Sequence, residues 1–146
     1  MKVYLDIDGV LVMHGEKTQY ADEFIKFLVE NFDCYWLSTN VKGNTDFVLN
    51  RLKNIFSPET MECIKKIKPT NWQTLKTEAI NLDEDFWWFD DFALQKETEI
   101  LAEHRKENRL ILVRLKEFSW TLYDFLDFYK QNNLFCSLND RVFRLK

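Results

Sequence analysis

Glycine and proline are scarce in this chain, 3 and 2 among 146 residues. So little of either speaks against a disordered or repetitive polymer, and 46% apolar residues speak for a compact globular one. Cysteine is scarce as well. Cys34, Cys63 and Cys136 are odd in number, widely spaced and without a CxxC pair. That argues against a disulfide framework or a zinc ribbon and fits a reducing compartment. No apolar stretch approaches the roughly 18–20 residues of a membrane span. The opening "MKVYLDIDG" is charged too early for a signal peptide, so a cytoplasmic location is expected. Positive charge is not in excess either. A net charge of −4 provides no global field toward nucleic acid or anionic lipid, which leaves only local basic clusters such as Lys65, Lys66 and Lys68.

What is present is an alternation of short apolar runs with longer amphipathic ones, over a length that suits one domain rather than two. Strands are expected at 2–6, 34–38, 61–67, 85–91 and 109–115. Helices are expected at 20–32, 44–56, 70–81, 93–108 and 119–131. Asn44 or Thr45 would cap the second of these helices and Ser119 the last. Phe47, Val48, Leu52, Ile55 and Phe56 would form the buried side of 44–56. The runs "VYL", "YWL", "FWWF" and "LILV" are continuously apolar, as strands buried on both faces must be. Trp36, Trp87, Trp88 and Phe89 are therefore read as core. The expected fold class is α/β. It is a single Rossmann-like three-layer α/β/α domain over 1–146, with a five-stranded, mostly parallel sheet. Residues 9–20 would form a short flap and 132–146 a C-terminal tail.

In such sheets ligands bind outside the carboxyl ends of the strands. The first strand ends in Asp6 and Asp8, the second in Ser38-Thr39-Asn40, and the fourth in Asp90-Asp91. Lys68 and Lys76 are the lysines placed to join them. Clustered carboxylates repel one another and need a cancelling charge. A hard divalent cation supplies it, and Mg²⁺ accepts a few carboxylate oxygens together with water and substrate phosphate. One aspartate can then attack phosphorus, while a second, two residues on, protonates the leaving oxygen. A lysine would offset the repulsion between anions. Gly9 allows a sharp turn after the strand and leaves room for a phosphate.

The segments "YLDIDGV", "YWLS" and "WWFDD", in that order, resemble the motifs of the haloacid dehalogenase-like (HAD) superfamily. More narrowly, they are similar to its capless members associated with RNA repair. The resemblance implies Asp6 as nucleophile and Mg²⁺ ligand. It implies Asp8 as general acid/base, with its backbone carbonyl on the metal. Ser38 would bind a phosphate oxygen, with Thr39 as the competitor for that task. Asp91 would hold the metal, and Asp90 would support or share the ligation. Lys76 is favoured over Lys68 as the phosphate lysine. No stretch between these motifs is long enough for a cap domain, so an open site is expected. Such a site would suit a small phosphate ester or a phosphate on a macromolecular end. The activity implied is Mg²⁺-dependent phosphate-ester hydrolysis through an aspartyl-phosphate. A nucleic-acid end phosphatase and a non-catalytic metal-binding regulatory domain are the alternatives.

Competing structural roles exist for most of these residues. Asp90 and Asp91 could open the helix at 93–108, and Ser38 or Thr39 could cap the helix that follows them. His14, on the flap, is expected at the surface, where it could touch a leaving group. His104 belongs to a charged, solvated helical face.

Overall fold

The computed structural model describes residues 1–115 and 121–132. Ser119, Trp120, Cys136 and the expected tail, apart from Asn132, lie outside them.

The run "KVYL" forms β1 (Lys2–Leu5), and the flap forms a hairpin of β2 (Val12–Met13) and β3 (Glu16–Lys17). His14 and Gly15 make the two-residue hairpin turn, both with positive φ. Next come α1 (Ala21–Asn31), β4 (Asp33–Trp36), α2 (Asp46–Leu52) and α3 (Pro58–Ile64). A 3₁₀ turn at Lys76–Ala79 leads into β5 (Phe86–Asp90), α4 (Gln95–Glu103), β6 (Leu110–Leu112) and α5 (Thr121–Asn132).

The sheet has the order β4-β1-β5-β6, and every pairing in it is parallel. Alternate residues of β1 and β5 feed two cores. Val3, Leu5, Trp87 and Phe89 face Phe24 and Leu28 of α1 and Phe125 of α5. Tyr4, Phe86 and Trp88 face Leu37, Trp72, Ile80 and Leu101 of α4. Phe89 meets Phe24 and Phe125 edge-on, at centroid distances of 5.1 and 4.9 Å. Each large side chain buried this way contributes about 1.5–3 kcal/mol. The two cores make this a layered α/β fold with a parallel sheet. Among the described residues no helix is long and apolar enough to cross a membrane.

Three expectations fail. Among the described residues the sheet has four strands rather than five, because 61–67 is not a strand. Its first half completes α3, which Ser57 opens by accepting the Thr60 N–H at 3.3 Å, with Pro58 at the first helical position. Thr60, Met61 and Ile64 then bury one helical face. Beside β4 only a remnant of the missing strand survives, a single bridge between Tyr35 and Lys68. Lys68 donates to Cys34 and accepts from Trp36, and at the next bonding position the Thr70 side-chain hydroxyl donates to the Trp36 carbonyl at 2.6 Å.

The helix expected at 70–81 contracts to the turn at Lys76–Ala79. The Glu78 carboxylate accepts N–H bonds from Gln73, Thr74 and Leu75, which draws that stretch into a loop. Finally, Phe47 does not join the core. It is 64% exposed in the first turn of α2, because the helix starts at Asp46 and buries only Val48 and Leu52. Asn44 rather than Thr45 serves this helix end, its side chain accepting the Asp46 N–H at 2.8 Å.

Candidate active site

β1 is the central strand from which the connections leave to opposite sides, β4 on one flank and β5 on the other. The crevice at its carboxyl end is where such sheets bind ligands. The Asp6 N–H donates to the Phe89 carbonyl at 2.9 Å, which carries the ladder one residue beyond Leu5 and fixes Asp6 beside the end of β5. The chain then turns tightly. Val10, Leu11 and Val12 all donate to the Ile7 carbonyl, and Gly9 takes a φ of +80°.

Asp6 and Asp90 are buried and Asp91 is exposed, yet each offers a carboxylate oxygen within 4.8 Å of the others. Lys76 reaches them from the 3₁₀ turn. Its Nζ lies 2.6 Å from Asp90 Oδ2 and 3.4 Å from Asp6 Oδ2. A second carboxylate fixes that turn. Buried Glu97 of α4 accepts the Lys76 N–H at 2.7 Å and the Leu94 N–H at 2.9 Å. Trp88 Nε1 and the Phe92 N–H both donate to Asp90.

One buried cation thus serves two buried carboxylates. Burial first, and the Asp6 charge second, push Asp90 up to about 7 against the pull of Lys76. Burial opposes the charge on Lys76, but Asp6 and Asp90 outweigh it and raise its pKa. A further positive charge is what this oxygen-rich corner is short of. Three carboxylates of this kind suit a hard divalent cation. The position of Asp91 points the same way: its carboxylate occupies the space that a Cβ on Gly9 would fill.

Asp8 faces elsewhere. Arg51 of α2 grips it with both arms, Nη1 to Oδ2 at 3.0 Å and Nη2 to Oδ1 at 2.5 Å, and Asn40 adds a bond at 3.2 Å. The Arg51 bond is the main reason that the Asp8 carboxyl sits below its ordinary range.

Ser38 is fully buried two residues past Trp36, the register partner of Leu5, so it stands at the same sheet end as Asp6. Its Oγ accepts the Asn40 N–H at 3.4 Å, while Thr39 is exposed. Lys68 is not at this end of the sheet. It pairs with Asp33 at 2.7 Å, at the start of β4. Of the two candidate lysines, only Lys76 is in the crevice.

His14 is exposed at the hairpin tip. With Asp8, Gly9, Met13, Asp91 and Phe92 it borders a cleft of about 680 Å³. His104 is exposed, its ring Nδ1 2.9 Å from the Ile100 carbonyl. Reading the sequence alone missed Arg51 and Glu97, and it put Asn40 at the crevice without a role. The available signal for Arg51 was its spacing, four residues after Phe47 on a helix that begins soon after Ser38-Thr39-Asn40.

Compared with protein-family models, with curated proteins and with solved structures, the chain matches none.

Proposed function

We propose that the protein is a Mg²⁺-dependent phosphohydrolase of the capless HAD-like type, acting in the cytoplasm through an aspartyl-phosphate on Asp6. The observation that carries this reading is the convergence of Asp6, Asp90 and Asp91 on one point, with Lys76 bridging the two buried members. Asp6, Asp90 and Asp91, with the Asp8 backbone carbonyl, would hold the ion. When bound, Mg²⁺ offsets the repulsion between a carboxylate and a phosphate.

In this reading an Asp6 oxygen attacks phosphorus. The new P–O bond forms as the ester P–O bond breaks, and the leaving oxygen takes a proton from the Asp8 carboxyl. Water then attacks the same phosphorus and gives a proton back to Asp8, which releases phosphate and restores Asp6. Lys76 and Ser38 bind the phosphoryl oxygens, and Gly9 keeps the approach clear.

Asp8 supplies the observation that favours the second reading, a non-catalytic metal-binding domain. With both oxygens held by Arg51, Asp8 cannot carry a proton until the guanidinium moves. Phosphate release from a panel of phosphate esters separates the two readings. Turnover with Mg²⁺ that disappears in EDTA and in Asp6→Asn supports the hydrolase. Mg²⁺ stabilisation without turnover supports the binding domain.

A further inference from the structure

Resting on the phosphohydrolase reading, we propose that Arg51 and Phe47 form a recognition subsite for a nucleotide that carries a second phosphate besides the one removed. Arg51 is the cation nearest the acid/base position, and its planar fork suits bidentate binding of phosphate as well as of carboxylate. Its present partner, Asp8, is half-exposed at the crevice mouth, with a side chain 49% accessible. An incoming phosphate can therefore compete for the fork without any buried ion pair having to open. Such an exchange both binds the substrate and releases Asp8.

Phe47 lies four residues before Arg51 on α2, so the two share a helical face with Cβ atoms about 5–6 Å apart. A phenyl ring left 64% exposed on that face is a stacking surface for a base. Phe92, 65% exposed, borders the adjoining cleft of about 680 Å³. A cleft of that size holds a group much larger than one phosphate.

The second phosphate can belong to a free nucleotide or to the diester of a polynucleotide end. Calorimetry on Asp6→Asn protein with Mg²⁺ measures binding without turnover. The ligands are adenosine 5′-monophosphate, adenosine 3′,5′-bisphosphate, a 5′-phosphorylated adenosine dinucleotide and glycerol 2-phosphate. The bisphosphate or the dinucleotide should bind about tenfold tighter than the monophosphate. Whichever of the two binds more tightly identifies the source. Adding Arg51→Met should erase the preference and Arg51→Lys should keep part of it. Phe47→Ala should weaken the adenosine ligands while leaving glycerol 2-phosphate unchanged.

A parent protein with no preference overturns the subsite, as does a preference that survives Arg51→Met or a Phe47→Ala protein that binds adenosine ligands as before. If the preference holds but the wild-type protein hydrolyses no ester, the subsite stands and the hydrolase reading falls. If esters are hydrolysed and no preference exists, the subsite alone falls.

Discussion

The carboxylate of Asp91 occupies the space in front of Gly9. An ideal Cβ at residue 9 would stand only 2.3 Å from Asp91 Oδ2, and the backbone there has a φ of +80°. Gly15 has nearly the same φ, +78°, but nothing within 4 Å of its own Cβ position. The pair separates backbone strain from crowding. Gly15→Ala should cost about 1–2 kcal/mol, the price of a left-handed alanine. Gly9→Ala should cost more, because Asp91 must move aside, and on the proposed metal-binding reading it should also lose the stabilisation expected from Mg²⁺ in the parent. Urea melts of both variants with and without Mg²⁺ provide the comparison. Equal losses with equal Mg²⁺ responses would show that Gly9 is not there to accommodate Asp91.

Among the described residues Lys76 is the single cation between two buried carboxylates, so removing it leaves both without that charge. Lys76→Met should destabilise the metal-free protein by about 3–5 kcal/mol. The loss should be larger at pH 8 than at pH 5, because protonation of Asp90 relieves the repulsion. On the proposed hydrolase reading, Mg²⁺ should restore part of the stability but no phosphate-ester hydrolysis. A variant as stable as the parent at pH 8 would mean that the carboxylates do not depend on this lysine.

Cys34 is 3% exposed in the core, and burial pushes its thiol up to about 12. In a Cys63→Ser/Cys136→Ser protein it would be the sole thiol. Iodoacetamide at pH 8 should leave it unmodified in the folded state and alkylate it rapidly in urea, as mass spectrometry can follow. Fast labelling without denaturant would contradict its place in the core.

The parts of the molecule that were legible in the sequence follow one physical pattern. β1 and β5 are buried on both faces, so their continuous apolar runs declared them, and carboxylates at their ends marked the crevice. The errors fall where a nearby cap or a contact distant in the chain overrides the apolar pattern. "MECIKKI" has enough apolar residues for a strand, but Ser57 and Pro58, just upstream, commit it to α3. Phe47 fitted a helical apolar face, yet α2 begins only at Asp46 and turns Val48 and Leu52 inward, which leaves Phe47 at the surface. Arg51 meets Asp8 across 43 residues, and no local period encodes such a meeting. The resemblance favours Lys76 over Lys68, and Lys76 is the one that stands beside Asp6 and Asp90 while Lys68 pairs with Asp33.

Asp90 makes the metal-free fold sensitive to pH. Its pKa is raised from 3.8 to about 7 in the folded protein, so between those values the folded state holds a proton that the unfolded chain has released. Its contribution to stability is therefore greatest below about pH 4, declines as pH rises toward 7, and is constant above that. Asp8, Asp22 and Asp33 act in the opposite sense, since their lowered pKa values favour folding above the ordinary carboxylate range and lose that contribution in acid. Subtracting the profile of Asp90→Asn from that of the parent isolates the term. In EDTA the parent should lose stability relative to the variant between pH 4 and pH 7. In Mg²⁺ the difference should flatten, because the cation favours the ionised carboxylate. Parallel profiles in EDTA would place the proton elsewhere, and an unchanged slope in Mg²⁺ would remove Asp90 from the ion's ligands.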